Sequence, residues 1–360
     1  MSQTLYRRPL PSQAIAFSSP EGRRVFAEAL ATDGLKGYFP LAEQFHTQSD
    51  PAFCGLGSLV VALNALAIDP ERLWKGPWRW FAEDLLDCCV PLAEVRERGL
   101  DIDELGCLAR CNGAEVNVHR ADAANPASWR DALALAGTGE AVIVASYDRA
   151  ALGQTGGGHF SPIGGYHETR DLALILDVAR FKYPPHWVSA RCLWHAMEPV
   201  DPATGRARGW LVMRRRARSS ALGFSLSCVG ESWRGLSRRL TVVMADLAVS
   251  SSPAALARAV LPLVPHLEVR RADTAAHQET LAAARVALRS NAIYSWVREE
   301  VGSEHADAVT LLLFALVDRL TPGQRAKLGT LNGTITEELT NLRAQLEALT
   351  DIQAAATNTR

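Results

Sequence analysis

The stretch Gln48–Leu66, QSDPAFCGLGSLVVALNAL, constrains this chain more than any other. A polar loop containing Pro51 gives way to an apolar run in which Leu56, Leu59, Val60, Leu63 and Leu66 recur at helical spacing. That pattern predicts a buried helix whose first turn contains Cys54. The positive end of a helix stabilises a thiolate, the nucleophilic form of cysteine. Gln48, six residues upstream, is close enough to share a focus with the Cys54 backbone N–H, and two such donors suit a developing oxyanion. A small buried thiol in a core would give the same local pattern.

Composition narrows the class. The chain has 360 residues, 38 Lys and Arg against 39 Asp and Glu, and a net charge of −1, so nothing draws it as a whole to nucleic acid or a lipid surface. No apolar segment has the length of a membrane span, and the first residues lack a signal-peptide core. Seven cysteines without a small-scaffold pattern suit reduced thiols. The expectation is a cytoplasmic protein with no nucleic-acid or membrane partner.

Upstream of Cys54, SSPEGRRVFAEAL carries a capping serine, Pro20 and a first-turn Glu21, the signals of a helix start. Downstream, three tryptophans within WKGPWRW are expected to pin a loop onto the core. Cys88, Cys89, Cys107 and Cys111 then form a cluster in which Cys107 and Cys111 share a helix face. Soft thiolates suit zinc, copper(I) or cadmium, but no C-x-x-C pair occurs, so buried structural thiols are the simpler reading and these four are weak metal candidates.

From Ala141 the period changes to β: AVIVASY, HFSPIGGY, LALILDV and GWLVMRR are short strand-like runs. The loop Gln154–Gly158, QTGGG, permits close backbone approach but lacks the lysine and helix of a phosphate loop. HETRD, 167–171, reads as a hairpin turn. A symmetric turn pairs residues whose numbers sum to about 338, which makes His159 and Asp177 diagonal neighbours on one face. A carboxylate ending an apolar strand needs a partner, and an imidazole N–H supplies one while leaving its other nitrogen as a base. A turn-end aspartate capping backbone N–H groups is the plainer alternative. His46, His119, His167 and His186 lack an apolar-strand acid at matching phase.

Beyond about residue 218 the chain is rich in Ala and Leu at helical spacing, broken at Pro253, Gly302 and Pro322. Three regions are expected: a catalytic domain over 1–218, a helical domain over 219–350 and a flexible tail over 351–360. An apolar helix face in the second is suited to pairing with another copy as a homodimer.

The order Gln48, Cys54, His159, Asp177 resembles that of the papain-type cysteine peptidases, with Asp where papain has Asn and a shorter Cys-to-His interval. Longer strings are more specific. QSDPAFCGL, ALAIDPERLWKGPWRWF, LLDCC, QTGGGHFSPIGGY and LALILDVARFKYPPHWV resemble phytochelatin synthase, from LYRRPLP to about Trp210 and weakly through LSCVGESW. The resemblance implies an α+β fold, a papain-like catalytic domain of N-terminal helices and antiparallel sheet with a C-terminal α-helical domain. It also implies a transferase acting on glutathione, with Cys54 as nucleophile, His159 as base and acid, Asp177 orienting His159, and Gln48 in the oxyanion hole.

Glycine would leave from glutathione, and the γ-Glu-Cys thioester on Cys54 would pass to glutathione or a growing (γ-Glu-Cys)n-Gly chain, giving phytochelatins for metal detoxification. The alternative is a peptidase releasing glycine from glutathione or its S-conjugates by hydrolysis only. Gly158 and Phe160 match the part of the family site that holds the acyl group. Arg180 and Tyr183 match the suspected acceptor region; Lys182 and Arg149 are further cations for the substrate carboxylates. The family implies no tightly bound cofactor. A heavy-metal ion (cadmium, zinc or copper) would act as activator, arriving as a glutathione thiolate complex. The variable C-terminal half carries a single cysteine here, Cys228, where plant members have several.

Overall fold

A computed structural model describes residues 7–44, 46–70, 73–216, 222–227, 233–269, 275–329 and 335–357. The expected boundary at 218 and Cys228 lie outside the described residues. The chain divides into two compact units, one of Met1–Asp87 with Leu92–Arg216, the other of Cys88–Pro91 with Ala217–Arg360.

The first unit is α+β. Its helices are α1 (Pro20–Ala31), α2 (Tyr38–Ala42), α3 (Cys54–Ala65), α4 (Leu92–Arg98), α5 (Ile102–Cys111), α6 (Pro126–Thr138) and α7 (Ala190–Met197). Its strands are β1 (Ile15–Ala16), β2 (Ala114–Arg120), β3 (Val142–Asp148), β4 (Gly158–His167), β5 (Leu172–Ile175), β6 (His186–Ser189), β7 (Val200–Asp201), β8 (Arg206–Ala207) and β9 (Gly209–Arg215). Seven of these form an antiparallel sheet in the order β1-β6-β5-β4-β3-β9-β2.

The sheet is continuous with its core because β3, β4 and β9 are buried along most of their length. Helices α3, α6 and α7 pack on β3 or β4. Ile143, Ala145 and Tyr147, alternate residues of β3, join Trp129 and Leu133 of α6 and Leu193 and Trp194 of α7 in one buried cluster. Ser19 caps α1 by accepting from Gly22 N–H, with Pro20 at its first position.

The hairpin β4–β5 carries the register that matters for the site. Next to the turn, pairs such as His167 with Leu172 sum to 339; at Ile163 with Ile175 the sum is 338. The slip falls at Gly164–Gly165. A Cβ on Gly165 would lie 2.4 Å from the Leu35 side chain and 2.7 Å from the Gly34 carbonyl oxygen, so only glycine lets that loop cross the strand. Beyond the bulge, Leu176 N–H still bonds to Pro162 O at 2.9 Å, which carries the extended chain to Asp177.

The expected anchoring of the tryptophan loop does not hold. Trp74, Trp78 and Trp80 are 38, 69 and 43% exposed. Their segment closes on itself instead: Trp74 N–H bonds to Trp78 O, Gly76 adopts a positive φ, and Lys75 lies over the Trp74 ring. With its backbone satisfied locally, the segment needs no core.

The second unit contains α8 (Trp233–Val249), α9 (Pro253–Val260), α10 (Ala275–Arg289), α11 (Tyr294–Val301), α12 (Ala306–Ala315), α13 (Pro322–Leu328) and α14 (Ile335–Thr357). The breaks at Pro253, Gly302 and Pro322 mark helix ends, Pro253 and Pro322 at first positions behind capping Ser252 and Thr321. Two features differ from expectation. A small antiparallel pair, β10 (Phe224–Leu226) with β11 (Leu267–Val269), sits within this unit. Helix α14 runs to Thr357, past the expected start of a tail at 351, because DIQAAAT is a run of helix-tolerant residues. Among the described residues, no helix is long and apolar enough to cross a membrane.

Candidate active site

Cys54 is the first residue of α3, whose N-cap Phe53 offers no side-chain bond. The next residues, Gly55 to Leu63, are all buried, so the helix is fixed along its length while Cys54 at its N-terminus stays partly exposed. His159 begins the buried part of β4 and Asp177 follows β5; both are buried, Asp177 completely. His159 Nε2 lies 3.0 Å from Asp177 Oδ1. A carboxylate only accepts, so an Nε2–H serves Asp177, with Arg149 Nη2 2.8 Å from the same ring nitrogen, and Nδ1 is the nitrogen left for Cys54. Across the β3–β4 ladder Tyr147 opposes His159, its ring meeting the imidazole edge to face at 5.7 Å.

Asp177 has further donors. Ala179 N–H bonds to Oδ1 at 2.9 Å, and Arg149 Nη2 lies 2.9 and 2.8 Å from Oδ1 and Oδ2. Burial alone would raise the Asp177 pKa; the His159 charge and hydrogen bond and the Arg149 charge outweigh it and hold the carboxyl well below its usual range. Burial pulls His159 down, but the Asp177 and Cys54 charges and their hydrogen bonds raise it overall. Burial pushes the Cys54 thiol up, whereas the His159 charge and bond, the Phe160 backbone N–H and the Arg149 charge bring it below its ordinary value. The three groups together favour a thiolate–imidazolium pair.

Gln48 is buried, on a loop held by its own N–H to Val178 O and by Glu83, which accepts from Ser49 N–H and Ser49 Oγ and lies 3.0 Å from His46 Nε2. Its Nε2 donates to the carbonyls of Asp50 (2.8 Å) and Pro51 (3.0 Å), so both amide hydrogens are occupied and Oε1 has no hydrogen-bond partner. In this conformation Gln48 is not presented as an oxyanion donor.

The expected substrate residues separate into groups. Phe160 is buried, its ring near Gly55, and faces Cys54 through its backbone N–H rather than its ring. Gly158 is exposed at the mouth of β4 opposite Asp148. Lys182 is half-buried, its Nζ beside Gly156 of the glycine loop. Arg180 lines a cavity of about 280 Å³ with Phe17, Tyr38, Leu176 and Val178. Leu176 and Val178 flank Asp177 in the chain, so this cavity belongs to the other side of that segment.

Arg149 and Tyr183 differ from expectation. Arg149 is 3% exposed and its guanidinium is spent on Asp177, on Gln154 Oε1 (2.5 Å) and on the Tyr183 ring (5.1 Å), with Nη2 also 2.8 Å from His159 Nε2. Tyr183 is buried, its hydroxyl accepting from Thr155 N–H at 2.8 Å. Neither is offered to a substrate carboxylate. Arg208, which the sequence did not single out, stands at the mouth of β4. It is 5% exposed and lies over Gly158, its Nη2 3.2 Å from where a Gly158 Cβ would be, and its Nη1 is spent on the carbonyls of Pro199 (2.9 Å) and Val200 (3.3 Å). Its position depends on β9 returning beside β3, which no local pattern encodes.

The thiol cluster is also altered. Cys88 and Cys111 are free and buried, whereas Cys89 and Cys107 are disulfide-bonded, so those two are not thiolates and the expectation of uniformly reduced cysteines does not hold.

A helix-terminal cysteine, a strand histidine and a buried aspartate on an antiparallel sheet define a papain-like fold and site. Comparison with known proteins carries this further. Residues 5–210 match the phytochelatin synthase family, and the chain belongs to it. Over 237 residues, 65% of this chain and 47% of the relative, it is 52% identical to glutathione gamma-glutamylcysteinyltransferase 1 of Triticum aestivum. To the protein of that name from Arabidopsis thaliana it is 50% identical over 239 residues, 66% of this chain and 49% of the relative. To glutathione gamma-glutamylcysteinyltransferase of Schizosaccharomyces pombe it is 40% identical over 244 residues, 67% of this chain and 58% of the relative. The chain spans about half the length of the curated relatives it matches.

Proposed function

We propose that this protein transfers γ-Glu-Cys from one glutathione to another, making (γ-Glu-Cys)n-Gly. The observation that carries the reading is the Cys54–His159–Asp177 array inside the segment that matches the family. The Cys54 thiolate attacks the Cys–Gly carbonyl of glutathione. As the tetrahedral intermediate collapses, the C–N bond breaks, His159 gives its proton to the departing glycine nitrogen, and γ-Glu-Cys remains as a thioester on Cys54. The α-amine of a second glutathione then attacks the thioester while His159 takes its proton, and the Cys54 thiolate leaves.

Asp177 holds His159 with Nδ1 toward Cys54 through both steps. The uncapped N-terminus of α3 supplies backbone donors for the oxyanion, and Gln48 joins them once its amide releases the Asp50 or Pro51 carbonyl. Lys182, half-buried over the glycine loop, is the cation offered to the donor's carboxylates, with Arg180 reserved for the acceptor. A cadmium, zinc or copper ion enters as part of the substrate, bound to glutathione thiolates, and acts as activator. The cytosol, which holds the glutathione pool, is the compartment this chemistry suits.

Product analysis by mass spectrometry tests the reading, using purified full chain and glutathione with and without cadmium. Species with n of two or more are expected, and more of them with cadmium. Release of γ-Glu-Cys and glycine alone would replace transfer by hydrolysis. No turnover in either condition would remove both.

A further inference from the structure

His186 of β6 is completely buried, and no step above uses it. Both of its ring nitrogens are nonetheless committed. Nδ1 lies 2.8 Å from the Pro184 carbonyl, which only accepts, so Nδ1 carries a hydrogen. Nε2 lies 3.0 Å from Gln154 Nε2, an amide nitrogen that only donates, so Nε2 is the acceptor and the ring is neutral. The other end of the same amide, Gln154 Oε1, accepts from Arg149 Nη1 at 2.5 Å. The neighbours fix the amide's orientation: turned over, its NH2 would face a guanidinium donor. The series continues from Arg149 Nη2 to Asp177 and to His159 Nε2, 2.8 Å from each, and from Asp177 to His159.

We propose that Gln154 and His186 are positioning residues for the Cys54–His159 pair, locking the Arg149 guanidinium in the orientation that serves Asp177. The inference rests on reading Cys54 as the nucleophile. A guanidinium is planar, so holding Nη1 at Gln154 and Cζ over the Tyr183 ring sets Nη2 where it meets Asp177 Oδ2 and His159 Nε2, 2.8 Å from each. Without Gln154, a buried donor loses its partner and the plane is free to turn. Asp177 then holds His159 less firmly, the imidazolium is less stabilised, and the Cys54 thiolate with it.

The lock requires a neutral His186. A proton on Nε2 would face the Gln154 NH2, and flipping that amide would set it against Arg149, so either arrangement opposes two donors. The groups facing His186 are Gln154 and the Pro184 carbonyl, with Asp177, Arg149 and His159 beyond. Burial is the largest influence and keeps the imidazole below its ordinary value, against the raising effects of Pro184 and Asp177.

The test is the pH dependence of Cys54 alkylation by iodoacetamide in the full chain, read on the Cys54 peptide by mass spectrometry. It needs no glutathione. The wild type should reach half-maximal rate below the ordinary thiol range. His186→Leu and Gln154→Met should each move that midpoint up by about one pH unit, slowing alkylation about tenfold below it. His186→Gln should restore the wild-type profile, because its carbonyl can accept from Gln154 while its NH2 donates to Pro184 O. His167→Leu serves as the control: it removes another buried histidine of the sheet, 3.2 Å from Glu28, and should lower Tm without moving the midpoint.

A folded His186→Leu or Gln154→Met with the wild-type profile would overturn the proposal, as would failure of His186→Gln to restore it. Should His186→Leu not fold, the contrast between Gln154→Met and His186→Gln decides. A wild-type midpoint in the ordinary thiol range would instead remove the nucleophile reading. Shifted variants in a protein that makes no phytochelatin would leave the lock standing and the proposed reaction fallen.

Discussion

Asp171 and Asp177 stand at the two ends of β5, six residues apart, and each holds an arginine. Asp171, at the hairpin turn with φ 51°, takes a two-pronged pair from Arg130 and a bond from the Tyr166 hydroxyl at 2.7 Å, and is one-third exposed. Asp177 is completely buried and takes Arg149, His159 and the Ala179 N–H. The ion-pair chemistry is nearly the same. What separates them is water and the third partner: at the turn a tyrosine completes a surface tie to α6, while in the core a histidine makes the same carboxylate the orienting end of the proposed nucleophile array. An aspartate–arginine pair therefore says little about function until its burial and its remaining acceptor sites are counted.

The sharpest break of this comparison is amide substitution at each end. Asp177→Asn sets an NH2 among donors and frees His159 to take the wrong tautomer, so kcat with glutathione should fall ~10³- to 10⁴-fold. Leaving Arg149 buried without its carboxylate should also cost about 3–5 kcal/mol of stability in urea unfolding. Were kcat within a few-fold of wild type, Asp177 would be only a structural acid like Asp171.

Next in size is Arg149→Lys. One ammonium cannot reach both Gln154 and Asp177 as the fork does. A hydrogen bond to a charged group is worth about 1.5–3 kcal/mol, so kcat should fall ~10- to 100-fold. The counterpart Arg130→Lys should leave kcat alone. Equal losses at both positions would mean that fold stability, and not orientation of Asp177, is being measured.

How much of this was legible in the sequence follows the range of the interactions. Helix α3 and strands β3, β4, β5 and β9 were readable because their periodicity is local, and the hairpin register brought His159 and Asp177 within one diagonal. The one-residue slip at Gly164–Gly165 was not readable, since it answers to Leu35 and Gly34 from a distant loop. Strands as short as β1, β7 and β10 carry too few residues for a pattern. Arg149 looked like a substrate cation because its carboxylate lies 28 residues away in the chain. His186 looked idle because its partner is a neutral amide rather than an acid. Gln48 was placed correctly on the loop before Cys54, but the direction of its amide is set by two carbonyls that no spacing rule weighs.

A smaller effect distinguishes the two aspartates by acid. Both carboxyls are held below their ordinary range. At Asp171 burial opposes and the Arg130 and Tyr166 bonds prevail; at Asp177 burial opposes and His159 and Arg149 prevail by a wider margin. A depressed folded-state pKa contributes stability that is fully present above the unfolded carboxylate value and is lost as pH falls through the folded one. The stability difference between wild type and Asp171→Asn should therefore vanish first as pH drops below the ordinary carboxylate range. The difference for Asp177→Asn should persist to lower pH. Urea midpoints taken downward from pH 5 check this, and the reverse order would contradict the assignment of partners.

The smallest expected effect is Asp171→Asn at neutral pH. The asparagine keeps one acceptor oxygen for Arg130 or Tyr166 and can still adopt the positive φ that the turn requires, since Asn tolerates the left-handed region as Asp does. The Asp171–Arg130 pair is also reached by water, so its Coulomb energy is screened. The loss should be about 1 kcal/mol or less, with kcat unchanged. Asp171→Ala should cost more, because it removes the Tyr166 partner and places a side chain without local hydrogen bonds at φ 51°. If Asp171→Asn instead lowered kcat while leaving the urea midpoint in place, the turn would be transmitting to Asp177 along β5. The two ends of the strand would then have to be treated as one device rather than as a surface tie and a buried lock.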